Sequence, residues 1–146
     1  MSKTFNFFVR LICITALIAV FGLGVIHSNQ AWAANCQSTG YMQDSINLTA
    51  AIVVTKSRTI THTTIDAQGC NIGVYFAPGS SGSISNSSEI SGANYYGVLN
   101  NGGNVSITRS SVHDIGENPF NGTQHGVGIS FISSDGKPVR GTISQN

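Results

Sequence analysis

An isoleucine flanked by hydroxyl residues recurs along the chain, and this repeat constrains the fold more than any other feature. The motif Ser/Thr-Ile-Ser/Thr occurs four times, centred on Ile60, Ile84, Ile107 and Ile143. Successive isoleucines are 24, 23 and 36 residues apart. Because side chains alternate across a strand, each isoleucine points away from its flanking hydroxyls. One such strand buries little alone, and a fixed period of about 20–50 residues is typical of stacked repeats.

Two further apolar positions recur at the same interval. If short strands stack about 4.8 Å apart, these positions form internal columns, and each turn of the chain contains three strands. The bends between strands are rich in Gly, Asn and Ser, which suit tight turns. Extra loop residues at 116–124 and 133–138 explain the long third interval. The predicted columns are Ile60–Ile84–Ile107–Ile143, Ile65–Ile90–Val112 and Val74–Val98–Val127.

The repeated Ser/Thr-Ile-Ser/Thr strands and Gly-Val segments resemble those of right-handed parallel β-helix proteins, the architecture of pectate lyases and many secreted repeat proteins. The resemblance covers about residues 52–146, and the stretch Val112–Ile129 is similar to an uncharacterised group among them. It implies an all-β solenoid of three to four coils of 23–24 residues within residues 59–146. A leucine-rich repeat would need a leucine ladder, and a β-sandwich would not require the fixed isoleucine interval.

The first 33 residues have the pattern of a secretory signal peptide. Lys3 and Arg10 precede an apolar run, Leu11–Ile26, and Ala31–Ala33 forms an A-x-A cleavage motif. We expect cleavage after Ala33, a secreted protein, and no membrane association afterwards. The remaining 113 residues suffice for one domain, with five basic and six acidic side chains. The absence of a basic cluster argues against a nucleic-acid partner.

The sequence predicts a covered N-terminal end of the solenoid and an open C-terminal end. Residues 34–58 are predicted to form an N-terminal cap and first strand, because an uncovered core would face water. Cys36 and Cys70 form an even pair in an exported protein, so a disulfide between them is predicted to hold this cap on the first coil. The sequence stops within the strand motif around Ile143. We therefore expect an N-terminal fragment whose open end pairs with further coils or another chain.

A polar cluster near the long loop supplies the candidate site residues. Arg109, His113, Asp114 and His125 are the binding candidates, and His113, Asp114, Glu117 and His125 are the catalytic candidates. A histidine with an orienting carboxylate suits acid–base chemistry, two histidines and an aspartate suit metal ligation, and the same groups also organise loops. The sequence predicts no cofactor. It lacks the clustered carboxylates of pectate lyases, so the resemblance transfers no catalytic role.

Two other surfaces suggest binding. Tyr95 and Tyr96 stand near a bend, where exposed rings would stack on sugars and buried rings would serve packing. The hydroxyls that flank the repeated isoleucines predict a flat polar ladder, either an ordinary strand face or an ice-binding face. These hydroxyl residues are Thr59 and Thr61, Ser83 and Ser85, Ser106 and Thr108, and Thr142 and Ser144.

The leading interpretation is a non-catalytic extracellular module that presents loops to a polysaccharide, a cell-surface glycan or another partner. One alternative is the N-terminal part of a polysaccharide lyase or glycoside hydrolase whose catalytic coils lie beyond Asn146. A second alternative is an ice-binding solenoid. The fold alone does not choose among them, because lyases, hydrolases, adhesins and structural modules share it.

Overall fold

The computed structural model describes residues 31–33, 35–116, 126–133 and 135–146, and the regular structure within these ranges is β-strand throughout. The strands are short, as the sequence repeat predicts. They are β1 (Ala31–Ala33), β2 (Gln37–Gln43), β3 (Ile46–Val54), β4 (Ser57–Thr61), β5 (Thr64–Asp66), β6 (Ile72–Phe76), β7 (Ser81–Ser85), β8 (Glu89–Ser91), β9 (Tyr96–Asn101), β10 (Asn104–Thr108), β11 (Ser111–His113), β12 (Val127–Ile132) and β13 (Arg140–Ser144).

Three sheets are built from strands that lie far apart in sequence. Sheet 1 has the order β4-β7-β10-β13, sheet 2 the order β1-β5-β8-β11, and sheet 3 the order β2-β3-β6-β9-β12. All neighbouring strands are parallel, except that β2 is antiparallel to β3. Each repeat of three strands (β4–β6, β7–β9 or β10–β12) therefore contributes one strand to every sheet.

The first two predicted columns are confirmed by the strand register. In sheet 1, Ile84 lies between Ile60 and Ile107, and Ile107 pairs in turn with Ile143. In sheet 2, Ile65 pairs with Ile90 and Ile90 with Val112. Ile84, Ile90 and Ile107 are fully buried, whereas Ile143 on the last strand of sheet 1 is 50% exposed.

The third predicted column is correct at Val74 and Val98 but wrong at Val127. Val98 pairs with Ile129, and Val127 lies opposite Tyr96, two residues out of the expected position. Gly126-Val127 and Gly128-Ile129 are equivalent in pattern, so the sequence does not distinguish the two registers. In the observed register both Ile129 and Phe131 pack against the main core, which explains why it is preferred.

The bend that follows each strand of sheet 1 begins in the same way. Its first residue has left-handed backbone geometry: His62, Asn86, Arg109 or Gln145, with φ between 48° and 56°. In the Asn86 bend, Ser87 shares this geometry, with φ 59°. The first residues of the bends recur at the same intervals as the isoleucines. Non-glycine residues adopt this conformation at some cost. Backbone hydrogen bonds between successive bends, such as His62 N–H to the Asn86 carbonyl at 3.2 Å, offset it.

The N-terminal part is anchored as predicted. Cys36 and Cys70 form the expected disulfide, with their Cα atoms 5.4 Å apart. Beyond the disulfide, β2 and β3 form an antiparallel hairpin, and β3 continues sheet 3 by pairing with β6. The strand Ala31–Ala33, which ends at the predicted cleavage position, pairs with Thr64–Asp66. Residues 1–30, the rest of the predicted signal peptide, lie outside the described residues.

Replacing Gly97 by alanine should destabilise the protein by about 2–3 kcal/mol, because it overpacks a filled interior. A Cβ atom there would lie 2.5 Å from the backbone oxygen of Gly128 and would also collide with Val112. Gly128, on the neighbouring strand, is the matched control, since its Cβ would meet only Val112 at 3.9 Å. Urea unfolding of Gly97→Ala and Gly128→Ala checks this, and equal losses would contradict the close approach of the strands.

Candidate functional site

His113 lies at the end of β11 and is held between two carboxylates. Its Nδ1 atom is 2.8 Å from Oδ2 of Asp114, and its Nε2 atom is 2.9 Å from Oε1 of Glu89. Glu89 belongs to β8, the neighbouring strand of sheet 2, where it pairs with Ser111. The structure thus joins two of the predicted residues to one that was not predicted. Glu89 lies 24 residues before His113 and diagonally across from it, because β8 and β11 pair residues that are 22 apart. The repeat of these strands is the signal that could have placed the two residues near each other.

The two carboxylates favour the charged form of the imidazole. Hydrogen bonding to Asp114, and next to Glu89, raises the pKa of His113 above its usual value. A protonated imidazole donates from both nitrogens, so each ring nitrogen has a carboxylate acceptor. The side chain is 40% exposed, yet neither nitrogen is left to accept a proton from a substrate. The arrangement links neighbouring strands and does not resemble a general base poised for catalysis.

The His113 cluster should make stability depend on pH. Because the folded pKa is raised, the stabilisation is fully present below the unfolded value of about 6.5 and is lost as the pH rises through the folded pKa. Its size should not exceed about 1 kcal/mol, as for other solvent-exposed ion pairs. Melting curves of wild type and His113→Asn should converge at alkaline pH. His62→Asn is the matched control, because the His62 ring contacts a hydroxyl, that of Thr61, whereas the His113 ring contacts carboxylates. A constant difference at all pH values would contradict the ionic account.

Arg109 lies beside this cluster, at the bend between β10 and β11. Its Nη2 atom donates to Oδ1 of Asn86 at 3.2 Å, and Asn86 occupies the same bend one repeat earlier. An open groove of about 530 Å³ runs along these bends. Glu89 belongs to both the groove and the His113 cluster. The groove is lined by Ser87, Ser88, Glu89, Arg109, Ser110, Ser111 and Gln145.

The predicted five-residue cluster is only partly described. His113 contacts Asp114 and Glu89, and Arg109 lines the groove together with Glu89. Glu117 and His125 fall outside the described residues, so their predicted roles stay predictions. Within the described ranges, no group of three or more His, Cys, Asp or Glu side chains is arranged to hold a metal ion.

Tyr95 and Tyr96 do not form the exposed sugar-stacking platform considered from the sequence. Their side chains are only 2% and 8% exposed. The hydroxyl of Tyr96 donates to Oε1 of Gln43 at 2.8 Å, so the end of β2 reaches it. Burial, followed by the charge of Asp44, raises the pKa of Tyr95. The N-terminal hairpin explains the burial, because it brings Gln43 and Asp44 to these rings.

A different tyrosine lines a surface cleft. Tyr41 on β2 is partly buried and packs at 6.3 Å, centroid to centroid, against the buried ring of Tyr75. The cleft beside it measures about 380 Å³ and also contains Met42, Pro78 and Asn101. No sequence pattern indicated this cleft, because β2 meets Tyr75 only through the antiparallel hairpin.

The predicted hydroxyl ladder is present on sheet 1 as two rows. Parallel pairing aligns Thr59, Ser83, Ser106 and Thr142 in one row. In the other row it pairs Thr61 with Ser85 and Thr108 with Ser144. The outer strands carry exposed hydroxyls and the inner strands carry half-buried ones. Each row therefore places one hydroxyl on every strand of the sheet.

Comparison with protein-family models, with curated proteins and with solved structures finds no match for this chain. The described residues include no helix that could span a bilayer.

Proposed function

We propose that the protein is a secreted, non-catalytic module that binds saccharide through the groove at the Arg109 bend. We further propose that the parallel strands of its three sheets form a right-handed β-helix. The fold proposal is supported by repeats that add one strand to each sheet, and by the right-handed preference of parallel crossover connections. The groove that contains Arg109 and Glu89 supports the proposal of saccharide binding.

The groove brings together the polar groups that a saccharide requires. Arg109 supplies donors, the Glu89 carboxylate supplies acceptors, and the hydroxyls of Ser87 and Ser111 supply both. These side chains come from successive repeats, and Gln145 extends the lining beyond β13. A chain of sugar units laid across the repeats would meet similar polar groups at each step. An acidic sugar would in addition pair with the Arg109 guanidinium.

The neighbouring His113 cluster supports binding rather than catalysis. A general acid or base must exchange a proton with the substrate within hydrogen-bond distance. Both nitrogens of His113 are already within 2.9 Å of carboxylate oxygens. The cluster thus fixes the position of Glu89 at the edge of the groove, which keeps an acceptor in place for the ligand.

Binding to acidic and neutral oligosaccharides, measured by calorimetry, tests this proposal. Arg109→Asn should weaken binding about tenfold or more, because a charge-assisted hydrogen bond contributes about 1.5–3 kcal/mol. Asparagine tolerates the left-handed backbone at this bend, so the fold should survive. Arg58→Asn is the matched control, since Arg58 is exposed on β4 and does not line the groove.

Three results would contradict the proposal. The first is no binding to any oligosaccharide of the panel, and the second is normal binding by Arg109→Asn. The third is release of unsaturated uronates or new reducing ends from a polysaccharide, which would favour the lyase or hydrolase alternative. N-terminal sequencing of the exported protein tests secretion separately, with Ala34 as the expected first residue.

A further inference from the structure

The His113 cluster and the groove share one side chain, that of Glu89. Its Oε1 atom is 2.9 Å from Nε2 of His113, and the same residue lines the groove together with Arg109. We propose that loss of the proton from His113 weakens the binding of acidic saccharides in this groove, so that the site binds them more tightly at mildly acidic than at alkaline pH. Such control presupposes the saccharide binding proposed above and adds its regulation.

The charged imidazole restrains Glu89 more strongly than the neutral imidazole can. When both ring nitrogens carry a proton, Nδ1 donates to Asp114 and Nε2 donates to Glu89. A neutral ring keeps one proton, so one carboxylate then faces a lone pair and the other receives a weaker, uncharged donor. In either tautomer the side chain of Glu89, which is 46% exposed, is held less firmly at the edge of the groove.

Proton loss also changes the electrostatics of the groove. It removes the positive charge between two carboxylates, one of which belongs to the groove lining. The negative charge that remains repels an acidic sugar and opposes its attraction to the Arg109 guanidinium. A neutral sugar experiences only the weaker restraint on Glu89. Its affinity should therefore change less with pH than that of an acidic sugar.

The other charged and titratable groups around His113 have different partners in the described part of the chain. Asp66 lies on β5, one strand beyond β8, and its Oδ1 atom accepts a backbone N–H at 3.0 Å. Arg109, at the bend before β11, donates to an asparagine of the preceding repeat. From sheet 3, β9 and β12 pack against β11, and the one titratable side chain on these two strands is Tyr96, whose hydroxyl donates to a glutamine.

Calorimetric titration with an acidic and a neutral oligosaccharide, between about pH 5.5 and about pH 9, tests the proposal, because free carboxylates stay ionised across this range. Hydrogen bonding to Asp114, and next to Glu89, raises the pKa of His113, so the change should occur above about pH 6.5. We expect the affinity for the acidic oligosaccharide to fall by up to about fivefold, the size of an exposed ion-pair effect. The neutral oligosaccharide should lose less.

The variant His113→Asn removes the titrating ring. Its affinity for the acidic oligosaccharide should stay near the alkaline value of the wild type over the whole pH range. His62→Asn is the matched control, because His62 begins an equivalent bend but does not line the groove. This control should keep the full pH dependence.

Nuclear magnetic resonance of the wild-type His113 ring gives a second measurement, which needs no variant and stands even if His113→Asn fails to fold. A ligand that prefers the protonated ring must raise the pKa of His113 by the same factor by which protonation raises the affinity. A ring that only links two strands would titrate identically with and without the acidic oligosaccharide.

Two kinds of failure are distinguishable. Absence of oligosaccharide binding at every pH would overturn the saccharide proposal itself, and the control by His113 with it. Equal affinity for the acidic oligosaccharide at both ends of the pH range would overturn the control alone. So would a pH dependence that persists in folded His113→Asn, or a pKa of His113 that the bound acidic oligosaccharide leaves unchanged.

Discussion

Ile84→Ala is expected to lower the free energy of unfolding by about 4 kcal/mol. Ile84 is fully buried and lies between Ile60 and Ile107 in sheet 1. Removing its outer carbons leaves a cavity among side chains that are held by parallel strands on both sides. Such cavities cost about 2–5 kcal/mol for isoleucine, and the high end applies where the surroundings cannot collapse.

Ile143→Ala provides the matched control for Ile84→Ala. Ile143 occupies the same column and the same motif, but its side chain is 50% exposed on β13. Its replacement should cost less than about 1 kcal/mol, because little apolar area returns to water. Denaturant unfolding of both variants measures the contrast. Similar losses for the two variants would mean that the isoleucines do not form a column with a buried middle and an exposed end.

Removal of the disulfide should have an effect of comparable size. Cys36 and Cys70 are 34 residues apart, and a bridge across such a span stabilises by about 3–4 kcal/mol when it acts by restricting the unfolded chain. The double variant Cys36→Ser/Cys70→Ser should therefore unfold at a much lower denaturant concentration. Guanidinium unfolding monitored by circular dichroism measures the loss.

A reducing agent supplies the control for the disulfide variant. It should lower the stability of the wild type toward that of the double variant and should leave the double variant unchanged. If the double variant is as stable as the wild type, then pairing of β2 with β3 and of β3 with β6 holds the N-terminal part by itself. That result would remove the anchoring role given to the bridge.

Periodic features of the fold were predictable from the sequence. The isoleucine columns of sheets 1 and 2 could be predicted because each strand carries the same short motif, and stacking then follows from burial. The Cys36–Cys70 bridge was predictable because these two cysteines form an even pair after the predicted cleavage. The hydroxyl rows follow from the same alternation of side chains along each strand, so a prediction of the isoleucine column also predicts them.

Non-periodic features were not predictable. Val127 was misplaced because two Gly-apolar pairs compete for one position, and the packing of Ile129 and Phe131 on the main core decides between them. Burial of Tyr95 and Tyr96 depends on the N-terminal hairpin, which lies about 50 residues earlier in the chain. The left-handed bends fall on His62 and Arg109 as well as on Asn86, although residue type alone points to glycine or asparagine.

The candidate site likewise combines contacts that the sequence predicts with contacts that only the stacking of repeats creates. His113 and Asp114 are adjacent in sequence, so their contact was expected. Glu89 reaches His113 only because the repeats stack in register, and a single repeat gives no sign of it. The groove likewise exists only between repeats, since its two sides come from neighbouring bends. The proposed binding groove therefore depends on in-register stacking.

Methyl-to-methyl nuclear Overhauser spectroscopy tests this stacking most directly. With isoleucine methyls labelled, we predict cross peaks between Ile60 and Ile84 and between Ile84 and Ile107, because these pairs occupy adjacent parallel strands. Ile60 and Ile107 should show none, since two strand spacings separate them by about 9.6 Å. A direct cross peak between Ile60 and Ile107, or the absence of both predicted peaks, would contradict the stacked arrangement and the groove built on it.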